Sequence, residues 1–394
     1  MISLQPSFFP ATLAGFVLYT IYKLFFVKQP PPDYFKLSGV PRPTPRWDFD
    51  IDKAKARPYR PFRWEYNQTM SLEKLDPDYW LELESTYRAR IAQRKALYAQ
   101  HGPSILAALP GTHNACVELA EMVIQFLCVR YPRHFHLTPS GVFHNHILGT
   151  HSPVPVLDSA AEDTGLEALK LIFEHVPEDF LVMQRDAATG LYVLRGGIAC
   201  SALGWTLGEK LGQPLHEVHT NVPDYKEKMQ FSIDRYFTKL ACDKPIQRGA
   251  WSLEIGQPLF APPGDAAFFG LRNAPPPTLA IEDVFLRVDW QILRRLPVSD
   301  AIVFNYKALF TPATALRDEP YIPRLLAKIM RDMKPSLKEY KGTGHVEHCV
   351  LPKLDEWARE QEEKGWVPRD WKERTLNEDP FFPGWNDNVA PHTS

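Results

Sequence analysis

The clearest periodic pattern in the chain is a regular alternation of apolar and polar residues in the segment VFLRVDWQI, residues 284–292. The even-numbered positions are apolar, whereas the odd-numbered positions include Arg287, Asp289 and Gln291. A period of two predicts a strand that buries one face. Periodicity alone favours a solvated polar face, and a polar face turned towards a pocket is the alternative.

Other segments predict further strands. DFLVMQR (179–185) and LYVLRGGIAC (191–200) are apolar runs joined by a turn at Asp186 to Gly190, as expected for paired strands. Residues 248–255 and 301–310 have a similar composition. About five strands, with helices before and between them, predict an α+β fold on a mainly antiparallel sheet.

Helices are predicted where apolar residues recur every three or four positions. Asp76-Pro77 has the form of an N-cap followed by proline, and the apolar spacing then continues to Ile91. Three further helices are expected at 114–130, 163–175 and 225–240. Residues 133–160 match neither period and predict a solvated loop with five histidines: His134, His136, His144, His146 and His151.

The N-terminal segment predicts a membrane anchor. Residues 7–27 contain Lys23 as their only charge and just reach the roughly 20 residues needed to cross a bilayer. The basic residues that follow outnumber the acidic ones, so the positive-inside rule places the body on the cytosolic side, and we expect the endoplasmic reticulum. A buried or interfacial helix is the alternative.

This pattern divides the chain into four predicted parts. Residues 1–28 form the N-terminal anchor, and residues 29–62 form a proline-rich linker that spaces the body from the bilayer. Residues 63–366 form the catalytic domain, and residues 367–394 form a polar C-terminal tail.

Composition excludes several classes of protein. The 394 residues include 45 basic and 47 acidic ones, and this balance gives no positive field that would attract nucleic acid. The five cysteines are scattered without a C-x-x-C pair. The sequence has no G-x-G-x-x-G after a strand, no P-loop, no G-x-S-x-G and no H-E-x-x-H. Nucleotide-binding and simple hydrolase functions therefore lack their usual signatures.

The candidate chemistry lies in histidines and in the polar face of residues 284–292. His216 and His219, in LHEVHTNVPDY, are three residues apart before a loop, so one imidazole could bind haem iron or both could bind a first-row metal. A surface role for both is the alternative. Arg287 could hold a carboxylate, and Gln291 could bind a small molecule. The cluster of His345, His348 and Cys349 is a weaker zinc candidate.

Several of these segments together resemble a known family. They are LDPDYWLELESTYRARIAQRKAL, EDFLVMQRDAATGLYVLRGGIACSALGW, EKLGQPLHEVHTNVPDYKEKMQFSIDRYFTKL, WSLEIGQPLF and RVDWQILRRLPVSDAIVFNYKALFTP, in order over residues 75–355. The chain resembles the haem-dependent oxidative N-demethylase α-subunit family, and most closely its fungal members, sometimes called the HRQ family.

The resemblance implies a PAS-like domain that binds haem through histidine and oxidises a secondary methylamine with O2. VHTNVP matches the family's ligand element and implies His219 as the axial ligand to iron, with His216 second. RVDWQILRRLP implies functional roles for Arg287, Gln291 and Arg295, the two arginines as partners of the haem carboxylates and Arg287 and Gln291 as catalytic residues. Ile292 replaces a threonine of the family pattern, and Asn221 replaces a proline.

The main hypothesis is therefore a membrane-anchored haem oxidoreductase, acting on a small amine or related metabolite. Electrons would come from a separate flavin and iron–sulfur or NADPH-dependent reductase, because no such motif is visible in this chain. One alternative is a secretory glycosyltransferase, suggested by the D-x-D pairs at Asp48/Asp50 and Asp76/Asp78. The other is a PAS-like haem sensor without turnover.

Overall fold

A computed structural model describes residues 32–66, 70–155, 164–376 and 382. The predicted anchor over residues 1–28 lies outside these ranges. Within them, none of the helices combines the length and the apolar character that crossing a bilayer requires.

The described residues form ten strands, all paired antiparallel. In chain order they are β1 (Glu73–Lys74), β2 (Leu106–Ala108), β3 (Phe135–Leu137), β4 (Val142–Asn145), β5 (Thr150–Pro153), β6 (Asp179–Arg185), β7 (Tyr192–Ile198), β8 (Ile246–Ile255), β9 (Val284–Arg295) and β10 (Ile302–Pro312). The main sheet has seven strands in the order β1-β8-β9-β10-β6-β7-β2, and β3, β4 and β5 form a small second sheet.

The prediction of about five strands was therefore too low. The long strands β6 to β10 were all predicted, and the strands that were missed are short. The edge strands β1 and β2 have two and three residues, which is too few to show a period. The small sheet lies in the segment 133–160, so the prediction of a loop there is also wrong.

Eleven α-helices surround the sheets in the described part of the chain: α1 (Tyr34–Ser38), α2 (Tyr87–His101), α3 (His113–Arg130), α4 (Leu166–His175), α5 (Leu207–Lys210), α6 (Leu215–Val218), α7 (Gln230–Lys239), α8 (Ala266–Asn273), α9 (Ile322–Asp332), α10 (Pro335–Lys341) and α11 (Glu347–Glu363). A π-helical turn, Tyr225–Met229, leads into α7. Short 3-10 turns lie at Pro77–Tyr79, Gly102–Ser104, Ile281–Asp283 and Ala313–Asp318. The helices predicted at 114–130, 163–175 and 225–240 are confirmed with small shifts at their ends.

The helix predicted from Asp76 begins eleven residues later, at Tyr87. The Asp76 side chain does accept a hydrogen bond at a helical start, but that start is only the 3-10 turn Pro77–Tyr79. The chain then passes through the core, where Trp80, Leu81 and Leu83 are all buried. Neighbouring residues buried on different sides are incompatible with a helix that has one apolar stripe.

The two faces of the main sheet are covered differently. Helices α2, α3 and α4 pack against β6 and β7 on one face, and α9 and α11 pack on that same face against β8 and β9. The opposite face is covered by α7 and by the segments that contain α5 and α6. That cover is incomplete, and it leaves the cavities described below.

The proline-rich segment packs on the domain instead of spacing it from a membrane. Tyr34 and Phe49 belong to the core beside α3, whereas Tyr59 and Phe62 belong to the core beside α9. Arg60 forms a buried ion pair with Glu319. Residues 32–62 are therefore part of the folded body.

Candidate active site

Three adjoining cavities lie on the partly covered face of the main sheet, and His219 and Phe304 line all three. Two of the cavities have volumes of about 380 Å³ each, and the third has about 110 Å³. Each larger cavity falls within the range of roughly 300–1,000 Å³ that is typical of ligand sites. His219 thus lies where these three cavities meet.

The backbone fixes the state of the His219 ring. His219 follows α6 directly, and its Nδ1 lies 2.8 Å from the carbonyl oxygen of Leu215. A carbonyl only accepts hydrogen bonds, so Nδ1 carries the proton and the lone pair of Nε2 is available to a metal. Burial lowers the pKa of His219 to about 4, which keeps the imidazole neutral. The ring also stacks on Tyr225, with centroids 4.8 Å apart.

The other predicted histidine ligands lie away from these cavities. His216 is about a third exposed, its Nε2 is 3.9 Å from Glu217, and it does not line them. His345 donates from Nδ1 to the carbonyl of Gly342. In the part of the chain that the structure describes, no group of three or more His, Cys, Asp or Glu side chains could hold a metal ion. The structure thus brings His219 alone to the cavities.

The polar face of β9 is turned towards the cavities rather than towards open solvent. Arg287 and Asp289 line one of the two larger cavities, and Gln291 lines both. Cross-strand pairing places Gln291 opposite Arg248 on β8 and Tyr306 on β10. Strands β8, β9 and β10 therefore each contribute a polar side chain to the cavity walls.

Arg287 is held by protein groups on three sides. Its Nε donates to Asp289, and its two terminal nitrogens donate to the carbonyls of Pro258 and Ser201, at 2.9, 2.9 and 2.7 Å. Burial raises the pKa of Asp289, and the positive charge of Arg287 opposes this shift. Arg287 is thus suited to orienting Asp289 rather than to holding a ligand carboxylate directly.

Arg248 is the cavity residue that sequence analysis missed. It lines two of the three cavities. Its Nε is buried, and this atom has no hydrogen-bond partner among the described residues. Burial lowers the pKa of its guanidinium. A buried donor without a partner is costly, so the Nε of Arg248 makes this position suited to a ligand carboxylate. Arg248 lies in no recognisable motif, and only its place on β8 opposite Gln291 could have indicated it.

Arg295 is placed elsewhere. It donates to the carbonyl of Leu240 at 2.6 Å and to the carbonyl of Phe237, both at the C-terminal end of α7. It also contacts Asp300 and the hydroxyl of Tyr192. Arg295 does not line the three cavities, and its donors stabilise the end of a helix.

The cavity walls combine an apolar region with a basic side chain, which suits a ligand with one apolar and one anionic part. The smallest cavity is lined almost entirely by apolar side chains, including Leu181, Met183, Leu194 and Leu293. Arg248 borders this space, and the hydroxyl of Tyr306, which lines the neighbouring cavity, is buried without a hydrogen-bond partner among the described residues. A porphyrin with carboxylate groups would match this distribution, and His219 Nε2 is the nitrogen that could bind its iron.

The fold and the site together define a ligand pocket with a single neutral imidazole at its centre. Comparison with known proteins identifies the class more narrowly. Residues 71–351 match the model of the family described as haem-dependent oxidative N-demethylase, alpha subunit-like, and the chain belongs to this family. The family is one of haem-dependent oxidoreductases, as the resemblance in the sequence implies.

Proposed function

We propose that this protein binds haem through His219 and oxidises a small amine with O2, using electrons from a separate reductase. The observation that carries the proposal is the neutral, part-buried imidazole of His219 at the junction of the three cavities. Family membership supports haem dependence and oxidative chemistry.

In this proposal the chain's own residues hold and orient the cofactor. His219 Nε2 would hold the haem iron, Arg248 would bind a carboxylate group, and the apolar cavity wall would exclude water from the ring. Bound haem supplies the activation of O2, and the polarity of the facing pocket decides between binding O2 and activating it. The strands β6 to β10 lie in the order 2-1-5-4-3 when numbered from one to five, which is the order in PAS domains and supports a PAS-like core.

Asp289 is the proposed partner for the substrate. Asp289 lines one of the two larger cavities, together with Gln291 and Tyr306. A protonated amine would form a charge-assisted hydrogen bond with Asp289, and such bonds are worth roughly 1.5–3 kcal/mol. Gln291 and the Tyr306 hydroxyl would complete the polar contacts. The carboxylate thus selects for a cationic substrate.

The first experiment is an absorbance measurement on the purified full chain after reconstitution with haemin. We expect a Soret band that shifts on reduction and on addition of carbon monoxide. His219→Ala should lose the normal spectrum, and the matched control His216→Ala should keep it. A folded wild-type protein that takes up no haem would refute the proposal.

The second experiment separates turnover from sensing. With haem bound, we expect O2 consumption to require both a reductant and an amine, and Asp289→Asn to raise the KM for the amine on the order of tenfold or more. A haem protein without amine-dependent O2 consumption would favour the PAS-like sensor. The glycosyltransferase alternative is not supported, since Asp78 bonds Thr44 and Arg130 instead of lining the cavities.

The proposed location is a membrane with the body facing the cytosol. This part of the proposal depends on the sequence of residues 1–28 and on the basic residues that follow. The sequon Asn67-Gln68-Thr69 provides a test, because a luminal body would be glycosylated there and a cytosolic body would not. We expect the protein to stay in the membrane fraction after alkaline extraction and Asn67 to carry no glycan.

A further inference from the structure

Four histidines lie on one face of the small sheet, remote in sequence from the haem pocket. His136 pairs with His144 across β3 and β4, and His144 pairs with His151 across β4 and β5. His146 follows His144 by two residues, and the two rings stack. We call these four side chains the histidine face. The proposed oxidoreductase function does not use it.

The spacing of these rings suits a shared metal ion. The ring centroids of His144 and His151 are 5.9 Å apart, and those of His136 and His144 are 6.4 Å apart. With metal–nitrogen bonds of roughly 2.0–2.1 Å, two imidazoles on one ion have centroids about 5 to 6.5 Å apart, depending on the angle at the metal. The distance between the His144 and His151 rings falls within this range. His144 is the neighbour of each of the other three histidines.

The backbone that carries the histidine face is held from the opposite side of the small sheet. Phe135 and Phe143 are buried there, and their rings are nearly parallel with centroids 5.7 Å apart. A packed reverse face fixes the positions of the strands, so the imidazoles are brought together before any ion binds. The nitrogen of a neutral imidazole is a common metal ligand.

We infer that His144 and His151 form a surface site for a divalent first-row metal ion with a preference for imidazole, such as Zn²⁺, Ni²⁺ or Cu²⁺. Water completes the coordination, because no group of three or more candidate ligands among the described residues could hold an ion. The ion would link the two strands through the side chains of His144 on β4 and His151 on β5. This inference is independent of haem binding.

The test is isothermal titration of the full chain with Ni²⁺ alone at pH 7.5, since cysteine thiolates compete more strongly for Zn²⁺. His144→Gln, His151→Gln and the exposed control His348→Gln are compared. All are made in a His219→Ala background, so that the haem pocket contributes no imidazole. We expect one Ni²⁺ per chain, bound at least about tenfold more weakly after either His144→Gln or His151→Gln and unchanged after His348→Gln.

Three results would overturn the inference. They are absence of Ni²⁺ binding, binding that is unaffected by both substitutions in the small sheet, and binding that is lost in His348→Gln. Because His151 is exposed, His151→Gln should fold normally, and circular dichroism checks this. The outcome is distinct from that of the proposed function, because a protein that takes up no haem could still bind Ni²⁺ here, and the reverse also holds.

Discussion

Arg287 and Asp289 lie on the cavity face of β9, and Nε of Arg287 donates to the carboxylate of Asp289 at 2.9 Å. The carbonyl of Ser201 accepts a second bond from Arg287 at 2.7 Å. A chain of hydrogen bonds therefore links a loop of the main chain to the carboxylate proposed to receive the substrate.

This chain continues into the core behind the loop. The carboxylate of Asp179 accepts from the amide of Cys200 at 2.9 Å and from that of Ser201 at 2.6 Å. Asp179 is also paired with the buried Arg94 at 2.6 Å. Because each group in the chain is held by the next, the orientation of Asp289 depends on residues that do not touch the cavity.

Arg287→Lys should reduce amine turnover while leaving haem uptake unchanged. Lysine keeps the charge but lacks the planar fork that bonds Asp289, Pro258 and Ser201 together. A carboxylate displaced by about 1 Å can lower the rate on the order of 100-fold. Amine-dependent O2 consumption and the Soret band measure the two effects separately. Arg185→Lys is the control, and full turnover in Arg287→Lys would contradict the positioning role.

Arg248→Gln should weaken the retention of haem without lowering the stability of the cofactor-free protein. Losing a charge-assisted bond to a haem carboxylate should speed transfer of haem to an apo-globin on the order of ten- to 100-fold. Removing a part-buried guanidinium whose Nε lacks a hydrogen-bond partner among the described residues should leave the cofactor-free protein as stable or more stable in denaturant. The exposed Arg235→Gln should change neither quantity. Equal rates of haem loss in Arg248→Gln and wild type would exclude a carboxylate contact.

Much of the fold and one central residue of the site could be predicted from sequence because they depend on local periodicity. The alternation of β9 is read over a single segment, and so is the apolar character of α3 on most of its sides; both were confirmed. His219 was selected through the motif that surrounds it. Its placement at the cavities agrees with that choice, while its role as a haem ligand stays a prediction.

The remaining features depend on contacts between residues distant in sequence. Two properties mark Arg248: it lies opposite Gln291, and its Nε has no hydrogen-bond partner among the described residues. Neither property can be predicted from the sequence of β8 alone. The small sheet escaped prediction because its strands, FHL, VFHN and THSP, have only three or four residues each, which is too few to show a period. The packing of residues 32–62 depends on partners such as Glu319, which lies 259 residues from Arg60.

Glu178→Gln should stabilise the protein more strongly as pH rises. Burial raises the pKa of Glu178 to about 7, and its Oε2 has no hydrogen-bond partner among the described residues. The folded state thus keeps a proton that the unfolded state loses near pH 4.3, so this carboxyl lowers stability progressively between about pH 4.3 and pH 7. Below that window the neutral acid and the amide should be nearly equivalent.

Denaturant unfolding of wild type and Glu178→Gln at several pH values measures this effect. The difference in the free energy of unfolding should be small at pH 4.5 and reach on the order of 3 kcal/mol in favour of the variant at pH 8. Glu174→Gln, four residues before Glu178 in the sequence, is the control and should show no such trend. A difference that does not change with pH would show that Glu178 is ionised in the folded state throughout.

The ion pair of Arg60 and Glu319 provides a measure of how firmly the proline-rich segment is held. Two nitrogens of Arg60 donate to the two carboxylate oxygens of Glu319 at 2.7 and 2.6 Å, and both side chains are buried. Burial raises the pKa of Glu319, and the charge of Arg60 opposes that shift. The pair fixes the segment to the residues just before α9.

Arg60→Met should therefore lower the free energy of unfolding by about 3–5 kcal/mol, because Glu319 would remain buried without a partner. The double variant Arg60→Met/Glu319→Leu should recover most of that loss, since two apolar side chains need no partner. Arg317→Met removes a half-exposed ion pair with Glu360 and should cost much less stability than Arg60→Met, because solvent screens an exposed pair. If Arg60→Met unfolds at the same denaturant concentration as Arg317→Met, residues 32–62 are not held by this pair, and the segment is closer to the spacer that its composition suggests.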